Sequence, residues 1–130
     1  MIGIDTNILV RYLVQDDPEQ GRKAERFITD ECSAESPGFI NRIVLCETVW
    51  VLESAYGYPR PKVALALEKI LRTAQFRIED HQEAWLSLRD YEAGGDFADA
   101  LIAAVNLRAG CERTATFDRK AARRAGFAAL

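Results

Sequence analysis

Histidine is almost absent from this chain, whose 130 residues include only His81. A ribonuclease that uses two imidazoles as acid and base is therefore excluded within one chain. A Ser-His-Asp or Cys-His arrangement would have to use His81 itself, which lies in a segment typical of a helix start. A zinc site built from histidine and cysteine is also disfavoured. The available chemistry is therefore largely that of carboxylates.

Cysteine is also scarce, and Cys32, Cys46 and Cys111 form neither a disulfide framework nor a zinc pattern. We expect all three to be reduced and buried. The chain has no positively charged amino-terminal region followed by an apolar stretch, and no segment approaches the roughly 20 apolar residues that cross a bilayer. These absences predict a cytoplasmic protein that does not enter a membrane.

Positive charge is not in excess, because 17 lysines and arginines are outnumbered by 20 acidic residues, for a net charge of −3. This balance argues against a protein that coats nucleic acid, but not against an enzyme with a local basic patch. One basic cluster contains Arg22, Lys23 and Arg26. A second contains Arg113, Arg119, Lys120, Arg123 and Arg124. Solvated helix faces are the simplest explanation of either cluster taken alone.

Short apolar runs alternate with segments of helical periodicity along the chain. The runs predict strands at residues 1–4, 39–40, 76–78 and 111–116. Helices are predicted at residues 8–14, 18–30, 41–56, 80–93, 96–108 and 118–124, with another that opens at Pro61. This alternation is typical of a single α/β domain, spanning residues 1–130, with a mostly parallel sheet.

Capping patterns mark two of these helix starts. Asp17 is predicted to be an N-cap, with Pro18 in the first helical position and Gln20 reaching back to the cap. Asp80 and Glu83 have the spacing of a second capping box. We therefore expect these acids to serve local structure.

Two other acids follow predicted strands, at the ends where parallel α/β sheets bind ligands. Asp5 closes the first strand, and Asp118 follows the last. Either residue could instead cap the helix after it, because aspartate accepts hydrogen bonds from the free N–H groups of a first turn. Thr6 and Asn7 could cap equally well, which weakens that alternative for Asp5.

Glu47 lies in a predicted helix that is apolar on nearly every side, a pattern typical of a buried helix. We expect its carboxylate to be partly buried beside Ile43, Trp50 and Val51. An unpaired charge in such a place costs several kcal/mol, so a cation, an arginine or a proton should neutralise it. A structural salt bridge is the alternative to a functional site.

Asp96 and Asp99 lie three residues apart at a helix start, which puts both carboxylates on one face of its first turn. They could be a capping pair, although aspartate reaches the N-cap amide less well than glutamate. Together with the three acids above they suggest a carboxylate cluster that needs a cation. Oxygen ligands suit Mg²⁺ or Mn²⁺, and such ions support phosphodiester hydrolysis.

Four acidic segments, in order along essentially the whole chain, resemble the PIN domain family. The resemblance is closest to the toxin ribonucleases of bacterial VapBC toxin–antitoxin pairs. The segments are Asp5-Thr6-Asn7 with the apolar residues behind it, Glu47 within its apolar helix, Asp96-Phe97-Ala98-Asp99, and Thr116-Phe117-Asp118.

The resemblance implies a three-layer α/β/α domain with a central, mostly parallel sheet of about four or five strands. It also implies a toxin that acts as a Mg²⁺- or Mn²⁺-dependent endoribonuclease, forms a homodimer and is inhibited by a small VapB-type antitoxin. By position, Asp5, Glu47 and Asp99 would bind metal, with Asp118 catalytic and Asp96 or Asp118 at the margin of the metal site. Asn7 and Thr116 would orient the carboxylates, and RNA phosphates would contact Arg119, Lys120, Arg123 and Arg124.

Several other protein classes also place acids at a sheet edge. A phosphotransferase of the haloacid-dehalogenase kind would need a second aspartate at position 7, where this chain has Asn7. A response-regulator receiver domain would need an aspartate after a middle strand and a lysine near the last one, and neither is visible. A housekeeping PIN nuclease for RNA processing, or a PIN fold that only binds, are the remaining alternatives. The intact acids argue against the latter.

Overall fold

Five short strands and six α-helices make up the computed structural model, which describes all of residues 1–130. The chain divides into two units, Met1–His81 and Gln82–Leu130. Every strand pair in both units is parallel. The predicted α/β class, with four or five mostly parallel strands, is confirmed. The strands are hydrogen-bonded as two sheets, one of three strands and one of two.

The first unit contains a three-stranded sheet with strand order β1-β2-β3. Its elements are β1 (Ile2–Gly3), α1 (Thr6–Val14), α2 (Pro18–Glu31), β2 (Gly38–Ile40), α3 (Arg42–Ser54), α4 (Arg60–Arg72) and β3 (Phe76–Ile78). Gly38 pairs with Ile2 on one side and Phe76 on the other, and a side chain at position 38 would collide with Ile4. Fully buried side chains of this unit include Leu9, Ile40, Leu45, Leu52, Leu67 and Ile70.

Helix starts in the first unit follow the capping chemistry of their sequence. Asp17 accepts a 3.0 Å hydrogen bond from the Gln20 amide, with Pro18 in the first turn, as predicted. The Gln20 side chain does not reach back to this cap. Its Oε1 instead accepts a 2.8 Å hydrogen bond from Nε of Arg11, because α1 and α2 pack together.

The second unit contains a two-stranded sheet and two helices. Its elements are α5 (His81–Glu92), which begins at the boundary, α6 (Phe97–Arg108), β4 (Thr114–Thr116) and β5 (Phe127–Ala129). The helix predicted at residues 118–124 is wrong, since only a 3₁₀ turn forms there, at Ala121–Arg123. Gly126 then adopts a φ of 87° and leads into β5, a strand that the sequence did not predict. The segment Phe127–Ala129 is apolar throughout and lacks the alternation of polar and apolar residues that predicts a half-buried strand.

Glu83 is a buried ion-pair residue, contrary to its predicted role in a capping box. Both of its carboxylate oxygens lie 3.1 Å from Nη1 of Arg108, and only 10% of the Glu83 side chain is exposed. Arg108 ends α6, so the ion pair joins the first turn of α5 to the last turn of α6. The local sequence pattern could not reveal a partner 25 residues away.

Burial of the three cysteines differs from the prediction. All are free thiols, but only Cys32 is buried, while Cys46 is half-buried and Cys111 is exposed. Burial raises the pKa of the Cys32 thiol, with a further contribution from Glu31. None of the helices combines the length and the apolar character that crossing a bilayer would need.

Candidate active site

Asp5 lies directly after β1 and forms the N-cap of α1. Its Oδ1 accepts a 2.8 Å hydrogen bond from the Thr6 amide, so the capping interpretation of this residue is confirmed. No donor contacts its second oxygen, and the residue is exposed. Asp5 therefore holds α1 with one carboxylate oxygen and presents the other to solvent.

Glu47 is exposed, so the predicted partial burial of its carboxylate is wrong. One face of α3 is buried through residues such as Leu45 and Leu52, whereas Ile43 is 67% and Trp50 66% exposed. Glu47 lies four residues after Ile43 and three before Trp50, on the same exposed side of the helix. A helix that is apolar all round does not show from sequence which face will pack.

Thr6 links the two acids of the first unit. Its backbone N–H donates to Asp5, and its hydroxyl donates to Oε1 of Glu47, also at 2.8 Å. The second oxygen of Glu47 has no donor. The sequence predicted Thr6 only as a possible cap and Asn7 as a residue that orients the carboxylates, but the side chain of Asn7 makes no hydrogen bond in the structure. The one available signal was the position of Thr6 next to an acid at a strand end.

These acids line an open cavity of about 560 Å³. Arg11 and Tyr56 line it as well, and their side chains are joined by a 2.9 Å hydrogen bond from Nη1 of Arg11 to the tyrosine hydroxyl. Nη1 also contacts Asp16 at 3.1 Å, and the Tyr56 hydroxyl donates to the other oxygen of Asp16. The bond to Tyr56 is the main cause that raises the pKa of Arg11. A fixed positive charge therefore lies beside Asp5 and Glu47.

Asp96 and Asp99 occupy the first turn of α6 in the second unit. Asp96 is the N-cap and accepts a 2.9 Å hydrogen bond from the Asp99 amide, as a capping residue does. The Asp99 carboxylate has no hydrogen-bond donor and is half-buried. Burial raises its pKa, and the charges of Asp96 and Asp118 raise it further. Asp96 and Asp118 are therefore close enough to Asp99 to repel its charge.

Asp118 follows β4 and is held by local hydrogen bonds. Its Oδ1 accepts from the amides of Lys120 and Ala121, so it caps the 3₁₀ turn. Its own amide donates to the Thr116 hydroxyl at 3.0 Å, which fixes the backbone of Asp118. Of the basic side chains after it, Arg119, Lys120 and Arg123 are exposed, and Arg124 lies 3.7 Å from Asp90.

The acids form two sets, Asp5 and Glu47 in the first unit and Asp96, Asp99 and Asp118 in the second. The structure contains no group of three or more histidine, cysteine, aspartate or glutamate side chains arranged to hold a metal ion. The chemistry of both sets nevertheless fits a hard divalent cation, because every candidate ligand is a carboxylate oxygen. Repulsion within the second set would also be relieved by a cation.

Comparison with known proteins gives one family. The sequence model of the PIN domain family matches residues 2–127. No protein with a curated description matches the chain.

Proposed function

Because the chain belongs to the PIN domain family, whose members are generally metal-dependent nucleases, we propose that it is an endoribonuclease that works with Mg²⁺. Mn²⁺ is the expected substitute, since it prefers the same oxygen ligands. The observation that carries this proposal is the exposure of carboxylate oxygens in both units. Asp5, Glu47 and Asp99 each keep at least one oxygen without a hydrogen-bond donor.

In this proposal residues 1–130 act as one PIN domain whose acids carry the catalysis. Asp5, Glu47 and Asp99 would hold the metal, with Asp118 catalytic and either it or Asp96 at the margin. A bound divalent cation supplies an activated water and stabilises the leaving oxygen of a phosphodiester. Thr6 orients Glu47, and the Thr116 hydroxyl fixes the backbone of Asp118.

The toxin role rests on the similarity of the four acidic segments to toxins of VapBC pairs. On this basis the protein would cleave cytoplasmic RNA, form a homodimer and be inhibited by a small VapB-type antitoxin. Arg119, Lys120 and Arg123 are exposed and have no acidic partner, which supports a role in holding RNA phosphates. Arg124 could join them only by weakening its contact with Asp90.

The direct test is cleavage of single-stranded RNA by the purified protein, with Mg²⁺, with Mn²⁺ and with EDTA. Cleavage is expected with either metal, and both EDTA and the variant Asp5→Asn should abolish it. Cleavage that persists in EDTA contradicts the metal dependence. RNA binding without cleavage under any condition indicates a PIN fold that only binds.

Expression in bacteria separates a toxin from a housekeeping nuclease. The wild-type protein should arrest growth, and Asp5→Asn should restore it, because arrest by a toxin requires RNA cleavage. Normal growth at an expression level that gives active nuclease contradicts the toxin role while leaving the nuclease proposal intact.

A further inference from the structure

A second cavity in the first unit has no role in the function proposed above. Its volume is about 600 Å³, and it lies against α1 and α2. Asn7 and Arg11 line both this cavity and the one that contains Asp5 and Glu47. The two cavities are therefore neighbours that share part of a wall. A ligand that extends beyond the acids on this side would enter the second cavity.

The second cavity, which we call the α1–α2 cavity, has a mixed lining. Its aromatic member is Phe27, which is half-buried in α2. Lys23 lies one helical turn earlier in α2 and is highly exposed, and its one ion pair, with Glu19, spans 3.5 Å between two exposed side chains. Such a pair is weak, so Lys23 can exchange Glu19 for another anion. The amides of Asn7 and Gln20 complete a lining that offers both donors and acceptors.

Arg11 is fixed between the two cavities. Its Nε donates to Gln20 at 2.8 Å, and its Nη1 donates to Asp16 and Tyr56. Nη2 has no partner in the structure, so two N–H groups are available to an incoming anion. The guanidinium does not need to be ordered when a ligand binds, because three side chains already hold it.

We propose that the α1–α2 cavity binds one nucleotide of single-stranded RNA next to the point of cleavage. This inference rests on the nuclease function proposed above. The base would stack on Phe27, which tolerates any base because every base has a π face. Lys23 and Nη2 of Arg11 would contact the flanking phosphates. The cavity lies within the volume range of small-ligand sites, which suits one nucleotide.

Charge favours RNA over a protein segment as the occupant. Lys23 belongs to the basic cluster that also contains Arg22 and Arg26, in a chain whose net charge is −3. A local cation beside an acidic site gives a polyanion a favourable contact despite the negative net charge of the chain. A docked protein segment, such as part of an antitoxin, is the competing outcome of the test.

The test is steady-state cleavage of a short single-stranded RNA in Mg²⁺ by four proteins: the wild type, Lys23→Gln, Phe27→Leu and Arg22→Gln. Arg22→Gln is the matched control, because Arg22 is an exposed cation of the same helix that does not line the cavity. Phe27→Leu keeps an apolar side chain in the packing, and thermal denaturation confirms that it folds.

Phe27→Leu is expected to raise KM about fivefold or more with kcat unchanged, because a lost stacking contact weakens binding of substrate and transition state equally. Lys23→Gln should raise KM and reduce the slope of log affinity against log salt by about 0.7, the value for one phosphate contact on a single strand. Arg22→Gln should change neither KM nor the salt slope.

Equal effects of Lys23→Gln and Arg22→Gln would show that RNA is attracted by the general positive charge of α2 and not by a specific contact with Lys23. This result would overturn the proposal. Unchanged KM in both cavity variants, with wild-type cleavage intact, overturns this inference alone. Weakened binding of a co-expressed antitoxin in these variants, with KM for RNA unchanged, would show that the cavity is a protein-docking groove and would overturn the proposal. Absence of RNA cleavage by the wild type with either Mg²⁺ or Mn²⁺ overturns the nuclease proposal and this inference with it.

Discussion

In residues 1–81, Asp5 and Glu47 each have one carboxylate oxygen held by Thr6, whereas in residues 82–130 the Asp99 carboxylate has no donor and is crowded by Asp96 and Asp118. The acids of the first unit are oriented by hydrogen bonds. In the second unit Asp96 and Asp118 accept amide hydrogen bonds, whereas Asp99 has no donor and is repelled by both of their charges. Carboxylates in the two units therefore differ in what favours cation binding: fixed orientation in the first unit and electrostatic repulsion in the second.

The two sets of acids differ in how far their arrangement depends on a bound cation. Hydrogen bonds place Asp5 and Glu47 without any bound ion, so their geometry is a property of the folded chain. Asp99 gains most from a cation, because a positive charge offsets both its burial and the charges around it. Substitutions of Asp99 and of Thr6 therefore test these two effects separately.

Among the variants that compare the two units, Asp99→Asn is expected to have the largest effect. Losing this carboxylate should lower kcat/KM for RNA by about two to three orders of magnitude, since a metal contact supplies several kcal/mol of transition-state stabilisation. Asp30→Asn is the matched control, because Asp30 is an exposed acid near the end of α2 and belongs to neither set. Equal activities of the two variants would show that Asp99 is not a catalytic residue.

A smaller loss is expected from Thr6→Val, which deletes the hydroxyl that binds Glu47 but keeps the shape of the side chain. We expect kcat to fall about ten- to a hundredfold with KM nearly constant, the range for residues that orient metal ligands. Thr6→Ser retains a hydroxyl and should recover most of the activity. If serine and valine behave alike, the hydroxyl does not position Glu47.

Ion-pair variants compare the stability of the two units. Arg108→Gln leaves the mostly buried Glu83 without its partner and should lower the free energy of unfolding by about 1–2 kcal/mol, a range that allows for the exposure of Arg108. Lys23→Gln removes only an exposed pair and should cost less than about 0.5 kcal/mol. Urea unfolding measures both, and a reversed order would contradict the assigned burial.

The smallest effect concerns pH. Because the pKa of Asp99 is raised, the folded protein binds its proton more tightly than the unfolded chain does. Its contribution to stability is full below the unfolded pKa of about 3.9 and is lost as pH rises through the folded pKa. In EDTA, Asp99→Asn should therefore raise Tm at neutral pH, with the gain shrinking in acid. A gain that is independent of pH would show that repulsion is not its cause.

Local chemistry made much of the fold predictable. The start of α2 followed from Asp17 and Pro18, whose capping roles depend only on neighbouring residues. The bounds of β3 at Phe76–Ile78 matched the prediction, and the buried Phe76 and Ile78 alternate with the exposed Arg77. The positions of Asp5 and Asp96 at helix starts were also predictable from the sequence.

Long-range packing was not predictable in the same way. The exposure of Glu47 depends on which face of α3 meets the core, and an apolar pattern on all sides leaves that choice open. The bond from Thr6 to Glu47 joins residues 41 apart, and the pair of Glu83 with Arg108 joins residues 25 apart. Such partners are brought together by the tertiary structure, so local sequence patterns could not predict these contacts.

The exposed side of α3 also gives the protein an optical reporter. Trp50 is 66% exposed and lies one helical turn from Glu47, so its indole emits from a largely aqueous environment. A cation or an RNA strand that binds at Glu47 changes the field and the solvent around this ring. Titration of the unlabelled protein can therefore be followed by its fluorescence, and Trp50→Phe identifies the part of the signal that comes from this residue.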